Sequence, residues 1–142
     1  MPTISNDSPP GLLRRLGAMT YDAILLIAVL IMLSYPYVWL TGGNKQGFVV
    51  HSLYQIYLLA ICFLFYAVQW VRGGQTLGMR TWRLKLVRQD GAPITWAIAL
   101  KRFIYALLSL LFLGLGFLWI LHDPDKLAWH DRWSGTRLIW LP

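Results

Sequence analysis

The 142-residue chain is 57% apolar and only 13% charged, with 13 Lys plus Arg against six acids, all of them Asp. An ordinary soluble domain is about one-quarter charged, so a chain this apolar has too few polar side chains to cover a water-facing surface. The same hydrophobicity excludes intrinsic disorder. What remains is a small integral membrane protein, of a length that makes one domain. Cys62 is the sole cysteine, which rules out an internal disulfide framework.

Residues 1–11 (MPTISNDSPPG) are polar and proline-rich and are expected to form a flexible tail. Residues 12–142 then form a single transmembrane domain. Arg14 and Arg15 precede an apolar stretch in the manner of a signal peptide. Asp22 interrupts that stretch, however, and no small-residue cleavage site closes it, so a retained first span is predicted over about 16–40. Within it Ala23 to Leu40 carries no charge, and those residues rise about 27 Å as a helix, close to the hydrocarbon thickness of a bilayer. Pro36 should kink or end the helix near its far side. A short link containing Gly42-Gly43-Asn44 leads to a second span, about 49–71, closed by Arg72-Gly73-Gly74.

Residues 72–102 form the largest stretch between spans. Trp82, Leu84 and Leu86 alternate there with Arg83 and Lys85, the period-2 pattern of a one-sided strand. Asp90-Gly91 is a turn signal, so a short hairpin is predicted over Trp82–Thr95. A charge-free run then makes a third span over about 103–121. The expected fold is all-α and membrane-embedded, with three complete crossings. A re-entrant pair broken near Gly114 and Gly116 is the alternative. In the tail, Trp129 and Trp133 stand four residues apart, as on a short interfacial helix with Asp125 as N-cap.

Sorted by segment, the formal charge of +7 is concentrated in one place. Residues 72–102 hold seven cations against Asp90 alone, whereas the N-terminal segment and the tail each sum to zero. The positive-inside rule puts that loop, and with it the N-terminus, in the cytoplasm. Trp39, Trp70, Trp96 and Trp119 fall near span ends, where interfacial aromatics belong. The loop's cations flank spans and alternate with apolar residues, so anionic lipid headgroups are the expected partner and nucleic acid is not.

Arg15 and Asp22 lie seven residues apart on one helix face, with Ala18 between them allowing close approach of another segment. An acid inside a span must face a partner or water. Asp22 therefore either pairs with a basic group and fixes helix packing, or serves as a proton or cation site. Arg132 or Arg137 qualifies as that basic group only if the tail returns to the cytoplasmic side.

Arg15-Leu16-Gly17-Ala18-Met19-Thr20-Tyr21-Asp22 resembles the opening motif of the RDD family of small bacterial membrane proteins, with an Arg before the first span and an Asp within it. Gly74-Gln75-Thr76-Leu77-Gly78-Met79, followed by Leu84-Lys85-Leu86-Val87, resembles the family's central loop. His130-Asp131-Arg132-Trp133-Ser134-Gly135-Thr136 resembles its C-terminal block. Met79 departs from the pattern, in which Lys is common, and Arg80 is the nearest cation. The resemblance implies a multi-pass protein of the bacterial inner membrane. Its candidate functional residues are Arg15, Asp22, Gly74, Thr76, Gly78, His130, Asp131, Arg132, Gly135 and Thr136.

Other motifs give less. Gly73 and Gly78 have the spacing of a phosphate loop, but Met79 and Arg80 replace its Lys and Ser/Thr. His122, Asp123, Asp125, His130 and Asp131 follow no established metal-ligand spacing. No acid–base or nucleophilic set is recognisable, so no catalytic, cofactor-binding or metal-binding residue is assigned and the chain is not expected to be an enzyme. The expected function is transport-related, with Asp22 handling a proton or cation. The alternative is a non-transporting scaffold or assembly factor. A small bundle encloses little interior, so a homo-oligomer or a membrane-protein partner is expected in either case.

Overall fold

The computed structural model describes residues 9–44, 46–112, 114–124 and 127–141. Residues 1–8 of the expected tail, and the expected N-cap Asp125, lie outside the described residues. Helix α1 (Leu12–Thr41) passes through Pro36 and ends at Gly42, whose positive φ of 61° closes the helix in a left-handed turn. Helix α2 (Phe48–Gly73) returns antiparallel and ends the same way at Gly74, φ 66°. Tyr37 stacks on Tyr54 with ring centroids 4.0 Å apart, and the Tyr57 hydroxyl donates to the Leu33 carbonyl at 3.2 Å. These contacts fix the antiparallel register. Among the described residues, α1 and α2 are the two helices long and apolar enough to cross a membrane.

Beyond α2 comes a short helix, α3 (Leu77–Thr81), which packs against the N-terminal half of α1. The indole of Trp82 lies so close to Gly17 that a Cβ there would meet it at 2.5 Å. Strand β1 (Leu84–Arg88) buries Leu84 and Leu86 and leaves Lys85 exposed, as the alternation predicts.

Its partner is not the predicted one. The Asp90-Gly91 turn forms, with the Ala92 N–H donating to Asp90 Oδ1 at 3.0 Å. The chain does not return as a second strand, because Pro93 has no N–H for a ladder and Thr95 already caps the next helix. β1 instead pairs antiparallel with β2 (Thr136–Trp140) from the tail, Leu86 opposite Leu138. The predicted Trp82–Thr95 hairpin is therefore replaced by a sheet that joins the central loop to the C-terminal segment.

The expected third span is likewise not one continuous helix. Helix α4 (Trp96–Leu111) ends at Phe112, and Gly114 turns the chain with φ 76°. Helix α5 (Leu115–Leu118) and a 3-10 turn (Trp119–Leu121) then lead back to α6 (Trp129–Ser134). Gly116 permits this return. A Cβ there would meet Ser109 Cβ at 2.6 Å and the Trp129 ring at 2.8 Å. Helix α6 runs back along α4, with Trp129 beside Phe112 and Trp133 against Tyr105. The break thus falls beside Gly114, as in the re-entrant alternative, and β2 brings the tail to the same end of the molecule as the central loop. Trp129 and Trp133 share a short helix as expected, their rings stacked 5.7 Å apart.

The apolar core sits at this end, under the sheet, and joins Ala18, Ala67, Trp70, Leu84, Leu86, Ala99, Phe103 and Leu138. Gly78 makes the tightest contact around it: a Cβ there would run into the Ala18 carbonyl oxygen and would meet Asp22 Cγ at 2.9 Å. Gly78→Ala should therefore push α3 off α1, costing about 1–3 kcal/mol as overpacking. A lowered melting temperature in detergent checks this, and an unchanged one would refute the contact.

Candidate functional site

Two polar clusters lie at the capped end of the bundle. The first is built on Asp131, on the first turn of α6 and fully buried. Arg15 Nη1 donates to its Oδ2 at 2.7 Å, and Arg102 Nη1 donates to its Oδ1. The Ala128 backbone N–H, at the start of α6, also donates to Oδ2 at 3.2 Å. Arg102 binds Thr136 Oγ1 at 2.9 Å as well, and its guanidinium lies 5.3 Å from the Trp70 ring centroid. Ser134 Oγ lies 2.7 Å from Thr136 Oγ1. One carboxylate thereby ties α1, α4 and α6 together, and Arg102 extends the tie to β2 and α2.

Burying a carboxylate is costly unless charge and hydrogen bonds compensate it. Burial would raise the carboxyl pKa of Asp131. The neighbouring Arg102 and Arg15 outweigh it and hold the group well below the usual carboxylate range. His130, whose Nε2 lies 3.7 Å from Asp131 Oδ1, is held neutral. Burial, then repulsion from Arg102, pushes its pKa down to about 3 against the favourable pull of Asp131.

The second cluster centres on Asp22, which is 3% exposed and faces α3 rather than lipid. Its Oδ2 accepts from the Thr76 hydroxyl at 2.5 Å, and its Oδ1 accepts from the Gly78 backbone N–H at 2.8 Å. Thr76 is the N-cap of α3, its Oγ1 accepting from the Met79 N–H at 3.1 Å. The predicted basic partner of Asp22 is not found among the described residues. Arg132 pairs instead with Asp123, whose other oxygen accepts from the Leu127 N–H at 2.9 Å. The tail does come back to the end that holds the central loop, but its Arg132 is engaged elsewhere.

The ten residues singled out from sequence thus divide. Arg15, His130, Asp131 and Thr136 meet in the first cluster, and Asp22, Thr76 and Gly78 meet in the second. Gly74 and Gly135 are left-handed helix ends, φ 66° and 68°. At Gly74 a Cβ would meet the Leu86 carbonyl oxygen at 2.7 Å. Arg132 stays exposed and reaches the buried Asp123. Met79 is buried while Arg80 is exposed, so Arg80 does not take its place. Sequence reading missed Arg102, counted there as a loop cation. The signal was its position in the apolar run that opens at Trp96.

Both clusters border one cavity of about 440 Å³ between α1, α2 and α4. Arg15, Asp22, Arg102 and His130 line its polar end, and residues such as Ile27, Leu30, Leu59 and Leu110 line the rest. Long apolar helices, a cap of short elements and a buried ion cluster where the cap meets them define a small helical membrane protein. The chain belongs to the RDD family, whose model matches residues 9–135. No curated protein and no solved structure matches it significantly.

Removing the charge of Asp131 alone would leave Arg15 and Arg102 facing each other in the interior. Asp131→Asn should cost about 3–5 kcal/mol, the penalty for breaking a buried pair, measured as a loss of folded protein in detergent. The acid side of the stability profile carries a second signature. His130 and Asp131 both have folded-state pKa values below their ordinary ones, so the unfolded chain binds more protons and stability falls as pH falls. The decline begins below about pH 6.5 through His130 and steepens below about pH 4 through Asp131. His130→Gln should remove the upper part of that decline, as read from melting temperature against pH.

Proposed function

We propose that the chain is a non-enzymatic, transport-type protein of the bacterial inner membrane in which Asp22 takes up and releases a proton or cation. The observation that carries this reading is the carboxylate itself. It is buried on the wall of a cavity between the helices and held by two neutral donors, with no cation paired to it among the described residues. A carboxylate without a counter-charge in a low-dielectric site favours a proton or an incoming cation. Arg15 and Arg102 border the same cavity but are engaged by Asp131. Two long helices enclose little interior, so the conducting unit in this reading is a homo-oligomer or a complex with another membrane protein.

The accompanying topology has α1 and α2 as the two crossings. The basic loop, the sheet and both chain ends then lie in the cytoplasm, and α4 to α6 enter the membrane without traversing it. The charge distribution supports the orientation, and the β1–β2 pairing supports the return of the tail. Anionic headgroups would meet the exposed Arg72, Arg80, Arg83 and Lys85.

A second reading, a non-transporting scaffold, is favoured by the structural work that these same residues perform. Asp22 fastens α3 to α1, and Asp131 fastens α1 to α4 and α6.

The two readings part at Asp22→Asn, which keeps the shape and an acceptor for the Gly78 N–H. In reconstituted vesicles, transport requires ion-driven flux in the wild type and its loss in a variant that still folds. Absence of flux in both, with normal folding, would leave the scaffold. The topology has its own check in a Cys62→Ala background. Cysteines at Asp90 and Leu141 should both resist an impermeant maleimide applied from outside and react once the membrane is permeabilised. Labelling of Leu141→Cys alone would restore a third crossing.

A further inference from the structure

Helices α1 and α4 each pack on α2 but scarcely on each other. The cavity between them is apolar along its length, and its polar end carries two buried N–H donors without a protein acceptor among the described residues: Arg102 Nε and Trp70 Nε1. Both side chains are more than nine-tenths buried, at 3% and 6% exposure, and the Arg102 guanidinium lies over the Trp70 ring. A buried donor left unmatched costs free energy that an acceptor oxygen recovers. Satisfying both therefore calls for a molecule with acceptor oxygens at one end and a hydrocarbon chain at the other.

The dimensions fit one lipid chain. The cavity wall follows α1 from Leu12 to Leu30, about 27 Å of rise, and its apolar part beyond the polar end, from Asp22 to Leu30, covers about 12 Å of it. That is close to the depth of a single leaflet, half of the roughly 30 Å hydrocarbon core. The volume of about 440 Å³ lies within the range of small-ligand sites, about 300–1,000 Å³. The polar end is level with the capped end of the bundle, where a headgroup would sit. Charge complementarity selects the headgroup. Arg15 and Arg102 exceed Asp131 by one positive charge, and exposed Arg72 and Lys85 lie at the same end. Asp22 opposes this at the cavity wall, but its carboxylate is turned to Thr76 and Gly78.

We infer that the cleft between α1 and α4 is a specific site for one anionic phospholipid. One acyl chain lies along α1, and ester or phosphate oxygens accept from Arg102 and Trp70. The site is distinct from the general attraction of the basic loop for headgroups, because its donors are buried and its apolar part admits a chain.

The test is native mass spectrometry of the full chain in detergent with phosphatidylglycerol, phosphatidylcholine or palmitate added. One phosphatidylglycerol per chain should be retained in preference to phosphatidylcholine. Trp70→Phe, which removes one donor and keeps the ring, should weaken retention about threefold to tenfold, the worth of one hydrogen bond. Ala106→Phe, which fills the apolar part of the cavity, should abolish it. Arg83→Ala should leave it nearly unchanged. Equal retention in folded Trp70→Phe and Ala106→Phe would overturn the inference. So would binding lost in Arg83→Ala or at high salt but not in these two, which marks a surface contact only. Retention of palmitate without phosphatidylglycerol would overturn the choice of occupant.

Discussion

A single carboxylate with no access to water holds this protein together. Asp131 takes charge-assisted hydrogen bonds from Arg15 and Arg102 and a third bond from the Ala128 backbone. In an interior this apolar, a lone charge is prohibitive, so the three ionised groups are stable only together. That condition fixes where α6 lies along α4, and hence where Gly135 releases the chain into β2. The sheet and the closure of the capped end follow from it.

The Asp22 cluster works by a different physics. A carboxylate at the start of α3 meets a hydroxyl and a backbone N–H, both neutral. The contact is possible only because Gly78 brings its backbone against α1, where any side chain would strike the Ala18 carbonyl. Asp131 is thus neutralised by its surroundings, whereas Asp22 is only solvated by them. Two acids from different blocks of the family pattern are therefore held differently, one by cations and the other by neutral donors.

Much of this architecture is legible in the sequence. The charge-free runs after Asp22 and before Arg72 mark the two long helices, and the alternation around Leu84 marks β1. The glycines near 114 and 116 mark the place where the third apolar run can break. Arg15 and Asp22 stand out as charges before and within an apolar segment, and Asp131 through its place in the family's C-terminal block. The hairpin failed for a local reason, since Pro93 and the cap at Thr95 leave no room for a returning strand. The third apolar run is not one helix, for a distant reason: Gly116 lets the chain fold back on Ser109 and Trp129, a contact that hydropathy does not contain.

By itself, then, the sequence determined the membrane class, the two long apolar helices, the concentration of positive charge and the family, because these depend on composition and short-range periodicity. Tertiary structure alone decided which charges meet. Arg15 and Asp131 are separated by 116 positions, and Asp22 and Gly78 by 56. Arg102 reads as one more loop cation until α4 turns it inward. An ion pair in an apolar interior is set by where helices pack in three dimensions, and no local pattern records that.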